Sequence, residues 1–312
     1  MKKFIKVLIV CSGNREIISP FVLDQANDLV KKNVMTDFFI VKGKGLFGYL
    51  KNLQKLKFKI ADFKPDIIHA HYGLCGLLAG IQRKVPVVVT YHGSDIDIPR
   101  VRKWSKIAIR LSKENIFVSY RLAKISKVSD YHIIPCGVNL ELFKPIDKLI
   151  AREKLGLSHS KKYILFSSWF ENPVKNSQLA IKTIDLLNHP DIELIELKDF
   201  TREQVALLMN SADAALMTSF SEGSPQFIKE AMACNTPIVS VDVGEVRKII
   251  NNAENCFIVS NPEQNELASC LKEIINSGRR SNGRQFIHSY DSRIISNKIV
   301  ELYKVIIGEK NT

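Results

Sequence analysis

The stretch Ala212 to Asp242, ADAALMTSFSEGSPQFIKEAMACNTPIVSVD, holds the unit from which the chain is built. Ala214 to Thr218 is a short apolar run of strand length, and Pro237 to Asp242 is a second, β-branched one. The residues between them carry helical spacing, and the entrance to that helix is legible. Gly223 permits a sharp turn, Ser224 suits the N-cap, and Pro225 suits the first helical position, where a missing N–H costs nothing. Strand, helix, strand in this order builds a parallel sheet.

The same rhythm extends in both directions. Upstream, strands are expected at Lys6 to Cys11, Asp37 to Val41, Asp66 to His71, Val85 to His92, Asn115 to Tyr120 and Tyr131 to Cys136. Asn139 to Lys154 contains a proline followed by a charged helical pattern, which puts the passage between domains near Pro145. A second series follows at Lys162 to Ser168, Ile192 to Leu197, Ala214 to Thr218, Pro237 to Asp242 and Cys256 to Val259. Beyond Ser260 the pattern is helical, clearest at Glu263 to Ser277 and Asp291 to Ile307. The reading is two doubly wound α/β domains, 1–147 and 148–293, with a last helix at about 294–312 crossing back to the first.

The 312 residues agree with two domains at roughly 150 residues each. With 46% hydrophobic and 25% charged residues, the composition excludes global disorder, and 15 Gly exclude a collagen-like repeat. Apolar runs such as Val85 to Tyr91 fall far short of the roughly 18 residues a membrane-spanning helix needs. The opening MKKFIKVLIVCSGN has too brief an apolar run for a signal-peptide core and no A-x-A site, so it reads as a first buried strand. Six cysteines without a CxxC pair or zinc-type spacing read as buried free thiols in a reducing cytoplasm.

Charge is unevenly shared. The net charge is +13, but residues 1–150 carry 26 basic and 12 acidic side chains against 19 and 20 in the remainder. A field confined to one half implies a polyanionic partner there. Much of it lies in Lys51 to Lys64 and in Arg100 to Lys113, where Trp104, Ile107, Ile109 and Leu111 stand among six basic residues. Two readings of the latter stand: an amphipathic helix lying on a membrane, or a solvated helix packed on its own sheet.

In open parallel sheets, ligands sit beyond the carboxyl ends of the strands. That rule selects Ser12 to Asn14, His69 to Gly73, His92 to Asp95, Ser167 to Lys175, Ser219 to Pro225 and Asp242 to Glu245. Among these, Glu222 falls on the loop before the helix, and Glu230 follows it about a turn and a half inside. Helix amides near Gln226 and Phe227 favour a diphosphate, and carboxylates accept sugar and ribose hydroxyls well. The plainer reading is an acid at a helix dipole and an ordinary surface Glu.

Ala212 to Asp242 resembles the nucleotide-binding core of family 4 glycosyltransferases, retaining enzymes of the GT-B fold, whose E-x7-E pattern is met by Glu222 and Glu230. Further matches follow in order: KVLIVCSGN, PDIIHAHYG from Pro65, VVVTYHGSD from Val87, HIIPCGVNLELFKP from His132 and ILFSSWFENPVKN from Ile164. The resemblance implies two Rossmann-like domains facing across a cleft and a metal-independent hexosyltransferase. It implies that Glu230 binds the ribose hydroxyls of a nucleotide-sugar, that Glu222 contacts the transferred sugar, and that Lys175 neutralises the leaving diphosphate. His92 matches the histidine facing the donor sugar from the first domain, and Gly13 the first loop that approaches the phosphates. Gly223, Ser224, Pro225, Gln226 and Ser168 complete the expected donor site. The donor is expected to be UDP- or GDP-linked and the acceptor a saccharide or lipid-linked saccharide, with no cofactor, no metal and no nucleic acid. The expected setting is polysaccharide or lipopolysaccharide synthesis at the inner face of the cytoplasmic membrane.

Two departures stand out. Where the family carries a G-R pair after the strand, this chain has Ser168, Trp169 and Phe170, so the diphosphate site lacks one positive charge; Cys136 replaces a usual asparagine. His69 and His71 share one strand face, but a zinc site needs a third ligand, and they read as a buried hydrogen-bonded histidine and a cleft-facing polar residue. Competing readings are nucleotide-sugar epimerisation on the same fold and nucleic-acid binding by the basic half. The latter lacks helix-turn-helix or zinc-finger spacing, and no G-x-G-x-x-G supports NAD binding.

Overall fold

The computed structural model describes residues 4–14 and 18–308, so the outermost residues of the expected domains, 1–3 and 309–312, lie outside the described residues. The chain divides into two compact units, Met1–Gly137 with Ser292–Thr312, and Val138–Asp291. The first holds β1 (Ile5–Ser12), β2 (Val34–Val41), β3 (Ile67–His71), β4 (Val87–Tyr91), β5 (Glu114–Phe117) and β6 (His132–Ile133), in the order β2-β1-β3-β4-β5-β6. The second holds β7 (Lys162–Phe166), β8 (Ile192–Ile195), β9 (Ala214–Met217), β10 (Ile238–Val241) and β11 (Cys256–Val259), in the order β11-β10-β9-β7-β8. The pairings in both sheets are parallel.

Both sheets are covered on both faces, which is why the central strands read as continuous apolar runs rather than alternations. In the first unit, Leu8, Val10, Ile68 and Ala70 point into one core. Val7, Ile9 and Ile67 point into the other, against Ile295, Ile299, Val300 and Tyr303 of the last helix, Ser292–Ile307. In the second unit, Leu165 and Ala215 belong to one core while Ile164, Phe166, Ala214 and Leu216 belong to the other. The strand expected at Tyr131 to Cys136 shrinks to two residues at the sheet edge. Ile134 still donates to the Phe117 carbonyl at 3.1 Å, but Pro135 has no N–H with which to continue the ladder.

The unit boundary lies ahead of Pro145. Val138, Leu140 and Phe143 are already buried in the core of the second unit. Arg284 fixes them by donating to the carbonyls of Leu140 and Phe143, both at 2.8 Å. Outgoing and returning segments run side by side: Val138 N–H donates to the Tyr290 carbonyl at 2.8 Å, and a Cβ on Gly137 would lie 2.6 Å from the Ser292 Cα.

Beneath the second sheet, at the end opposite the ligand-facing loops, Asp213 neutralises a buried arginine. Arg152, 2% exposed, donates to Asp213 at 2.7 Å, and Asp213 also accepts from Lys148 Nζ at 2.9 Å and Tyr163 N–H at 2.8 Å. Breaking such a pair from one side strands a charge, at a cost of about 3–5 kcal/mol. Asp213→Leu is therefore expected to lower the melting temperature by many degrees, whereas the Arg152→Met, Asp213→Leu double variant loses much less. Thermal denaturation of the two variants checks this.

Candidate functional site

In the second sheet β7 and β9 are neighbours from which the strand order runs outward in opposite directions, the topological position at which open parallel sheets form a ligand crevice beyond the carboxyl ends of their strands. The β7 loop presents Ser167 and Ser168, 8% and 5% exposed, and continues through a 3-10 turn, Pro173–Lys175. Asn172 shapes it: its side-chain amide donates to Ser168 Oγ at 3.2 Å, while its carbonyl oxygen accepts from Val174 N–H. The β9 loop is stitched to this one. Thr218 Oγ1 lies 2.9 Å from the carbonyls of Lys175 and Asn176, and Phe220 N–H donates to the Val174 carbonyl at 2.9 Å. Lys175 and Glu222, 47 positions apart and on different loops, thereby meet, with Nζ 2.6 Å from Oε1.

The helix that follows spans Gln226–Ala233. Pro225, not Ser224, occupies the N-cap, with φ −63° and ψ 113° and no side-chain cap. Ser224 lies one residue too early to cap, and its Oγ is buried without a hydrogen-bond partner. Among the described residues, the hydroxyls of Ser167 and Ser219 share that condition. An unmade buried hydrogen bond costs about 1–3 kcal/mol, a cost a ligand would relieve. Glu222 also depends on a glycine from a third loop: Gly244 has φ +60°, and a Cβ there would stand 2.5 Å from the Glu222 carbonyl.

Glu230, 3% exposed, is inside the helix, and Arg202 Nη2 reaches its Oε1 at 2.6 Å. Arg202 opens the helix Arg202–Ser211, whose entrance is a capping box between Thr201 and Gln204, and its guanidinium lies 4.7 Å over the Phe143 ring. Lys229 is fully buried, 3.4 Å from Gln226 Oε1 and 5.5 Å over the Tyr290 ring. The structure thus brings together Lys175 with Glu222, and sets Ser168, Gly223, Ser224, Pro225, Gln226 and Glu230 on the two loops and the helix. Arg202 carried no role in the sequence reading; Ser219 and Gly244 fell only within the strand-end segments selected there, with no individual role. The T-x-x-Q pattern at Thr201 is the signal that places Arg202 at a helix start.

In the first unit, His92 follows β4 and Gly13 follows β1. Gly13 has no left-handed backbone; packing excludes a side chain there, since a Cβ would fall on the Ile40 side chain. Arg15–Ile17, next in the loop, lie outside the described residues. The His92 ring contacts Phe21 and Tyr72, each at 4.7 Å between centroids, and stacks on His71 at 5.3 Å. Its Nε2 is 3.0 Å from His71 Nδ1, and its Nδ1 is 3.7 Å from Cys136 Sγ. Tyr72 holds φ +72°, an uncommon conformation for a side-chain-bearing residue, kept by its N–H donating to the Thr90 carbonyl at 2.9 Å. Asp95 joins this loop to the next: it accepts from the N–H groups of Gly73, His92 and Gly93 at 3.2, 3.2 and 2.9 Å. Burial pushes its carboxyl up to about 6 in spite of those donors.

The expectation that one of His69 and His71 faces a cleft is corrected, for both are fully buried. Their rings stack at 4.7 Å; His69 is held at Nδ1 by the Tyr303 hydroxyl at 2.5 Å and at Nε2 by Thr90 at 2.7 Å. A cleft-facing residue was expected there because both lie at the carboxyl end of a parallel strand, where ligands sit; here the last helix brings Tyr303 against His69, and the His92 ring stacks on His71. Among the described residues no group of three or more His, Cys, Asp or Glu is placed to hold a metal ion.

Residues 5–142 match the model of Glycosyltransferase Family 4, and residues 195–287 that of Glycosyl transferases group 1. The chain belongs to the family 4 glycosyltransferases, with the two-domain Rossmann-like architecture of the GT-B fold. A Bacillus subtilis glycosyltransferase named for teichuronic acid biosynthesis, TuaC, is 25% identical over 229 residues, covering 64% of this chain; the match spans 59% of that relative's own length. Sucrose-phosphate synthase from Thermosynechococcus elongatus superposes with TM-score 0.82 over 98% of this chain and all of its own, at 17% identity. The Anabaena protein Alr3699/HepE, solved in complex with UDP, does so with TM-score 0.73 over 96% of this chain and all of its own, also at 17% identity.

Burial gives the histidine pair an acid limit. His71 is lowered to about 3 by burial, and His69 is lowered well below its usual range by burial and by its two histidine neighbours. Both titrate in the unfolded chain near 6.5, so the stability they contribute is complete above that pH and is lost as pH falls toward 3, by about 1.4 kcal/mol per unit for each. Asp95, raised to about 6, opposes them between about 6 and 4, because the folded state then binds its proton first. Two imidazoles against one carboxyl leave a net loss on acidification. Denaturant titrations at pH 7.5, 6 and 5 are expected to show it, with His71→Phe flattening the slope by about one proton.

Proposed function

We propose that this chain transfers a sugar from a UDP- or GDP-linked donor to a hydroxyl of a saccharide or lipid-linked acceptor, with retention, in the synthesis of a cell-surface polysaccharide, lipopolysaccharide or glycolipid. The observation that carries the reading is the second unit's crevice. Two carboxylates, two cations and three unpartnered buried hydroxyls converge on the carboxyl ends of β7 and β9 and the amides of the helix Gln226–Ala233. A diphosphate suits the amides, Lys175 and the hydroxyls of Ser167, Ser219 and Ser224, which make up for the charge missing near Ser168. Hydroxyls of the ribose and the sugar suit Glu230 and Glu222. The UDP bound by the Anabaena neighbour supports the donor class.

The bond from the anomeric carbon to the β-phosphate oxygen breaks, and its electron pair leaves with the diphosphate. The acceptor oxygen bonds the anomeric carbon from the same face, and its proton passes to the departing phosphate. Negative charge grows on the diphosphate, so Lys175 and the helix amides stabilise the transition state more than the ground state, a role that calls for no metal. His92 is assigned to the donor sugar on the family resemblance.

A thermal-shift panel of uridine, guanosine and adenosine donors tests the reading. A ligand at about 100 times its dissociation constant stabilises the fold by roughly 2.7 kcal/mol, and a flat response to every donor counts against nucleotide-sugar binding. Lys175→Ala and Glu222→Gln are expected to lower kcat by about two to three orders of magnitude in a donor-to-acceptor assay. An altered sugar recovered without acceptor assigns epimerisation instead.

The membrane setting rests on the helix Pro99–Leu111. Ser105 and Ala108 pack inward, and Arg100, Lys103, Lys106, Ile107 and Arg110 are exposed. Arg102 is otherwise engaged, donating to the carbonyls of Ile96 and Asp97 at 2.5 and 3.0 Å. Among the described residues no helix is long and apolar enough to cross a membrane, so contact of this helix with an anionic surface is by charge, worth about 1 kcal/mol for each engaged Lys or Arg. Sedimentation with anionic but not neutral vesicles, weakened by salt and by Gln at Arg100, Lys103, Lys106 and Arg110, is the expected result. Equal recovery in the supernatant with both vesicle types would remove the membrane from the proposal.

A further inference from the structure

Glu230 occupies the middle of a buried helix at 3% exposure, where an ionised carboxylate is tolerated only beside a compensating charge. The compensation comes from Arg202 on another helix, at 2.6 Å. Arg202 is placed from three sides: a capping box sets the first turn of its helix, the Phe143 ring lies 4.7 Å beneath its guanidinium, and Arg284 pins the Phe143 and Leu140 carbonyls at 2.8 Å. A side chain fixed this firmly is preorganised. A carboxylate offers about four lone-pair sites, so one charge-assisted bond from Arg202 does not exhaust it.

We propose that Arg202 is a positioning residue for the donor nucleotide, holding Glu230 ionised and oriented where that carboxylate accepts the ribose hydroxyls. The inference rests on the nucleotide-sugar reading and adds to it a residue from outside the E-x7-E segment. It also assigns the arginine a task other than the one missing near Ser168. Arg202 acts on the ribose through Glu230 and leaves the diphosphate to Lys175 and the hydroxyls.

Calorimetric titration with UDP, GDP and ADP selects the best-bound nucleotide, which is then compared with its 2′,3′-dideoxy counterpart. Wild-type protein is expected to prefer the ribonucleotide by about tenfold or more, the worth of a hydrogen bond to a charged group. Arg202→Gln is expected to reduce that preference to within about twofold, with Arg202→Lys recovering part of it. A loss of general packing instead weakens both nucleotides equally, and that outcome overturns the inference, as does an unchanged preference. The Glu230→Gln variant and the Glu230→Gln, Arg202→Gln double variant are expected to bind alike, since Arg202 then has no carboxylate to act through. This comparison stands even if Arg202→Gln alone does not fold, because the double variant buries no unpaired charge. Further weakening of both nucleotides in the double variant overturns the inference and makes Arg202 a direct ligand contact. Wild-type protein that binds none of the nucleotides overturns the nucleotide-sugar reading and this inference with it.

Discussion

The second unit is organised by one constraint: the strand order runs outward from the β7–β9 pair in both directions. Parallel strands in register carry Ser167 and Ser219 to the same edge, and the chain then leads to helices on opposite faces of the sheet, the two loops touching where Thr218, Phe220 and Glu222 meet the β7 loop. The polar groups exposed there have no secondary structure to complete them. Thr218 satisfies two carbonyls of the neighbouring loop, yet three hydroxyls remain buried and unpaired. The crevice is therefore a consequence of topology first and of residue choice second.

Charge balance is the next layer. At the ligand-facing edge Lys175 meets Glu222 and Arg202 meets Glu230; at the opposite edge Arg152 meets Asp213. The geometry is alike and the consequences differ. The Arg152 pair is closed in by Ser211, His159 and Tyr163 and serves the fold. The other two lie on the loops and the helix Gln226–Ala233 that also carry the unpaired hydroxyls of Ser167, Ser219 and Ser224. In the first unit the same economy uses histidines: neutral, stacked and buried, they put His71 behind His92 without burying a charge.

Eleven strands were legible because doubly covered parallel strands are continuous apolar runs, and their ends erred by only a few residues. The largest error, at Tyr131 to Cys136, came from Pro135, which ends a ladder while leaving the sequence looking extended. The boundary near Pro145 failed for a related reason. Proline marks where a helix cannot be, whereas the division is set by where Val138, Leu140 and Phe143 are buried. Within the candidate site, the sequence singled out Glu222 and Glu230 by their spacing and Lys175 by the family resemblance. Arg202 was not, because nothing local distinguishes a surface arginine at a helix start from one whose partner lies on another element.

By itself the sequence determined the two parallel sheets, the helix at Gln226, the loops that carry the candidate chemistry and the excess of positive charge in the first half. These follow from periodicity, turn residues and composition, all properties of neighbours along the chain. Tertiary structure alone decided that Ser224 is unpaired rather than a cap, that both His69 and His71 are buried, that Arg102 is spent on backbone carbonyls and that Arg202 faces Glu230. Each depends on which surfaces meet across tens of residues. Burial and pairing at that distance are set by packing, which no local pattern encodes.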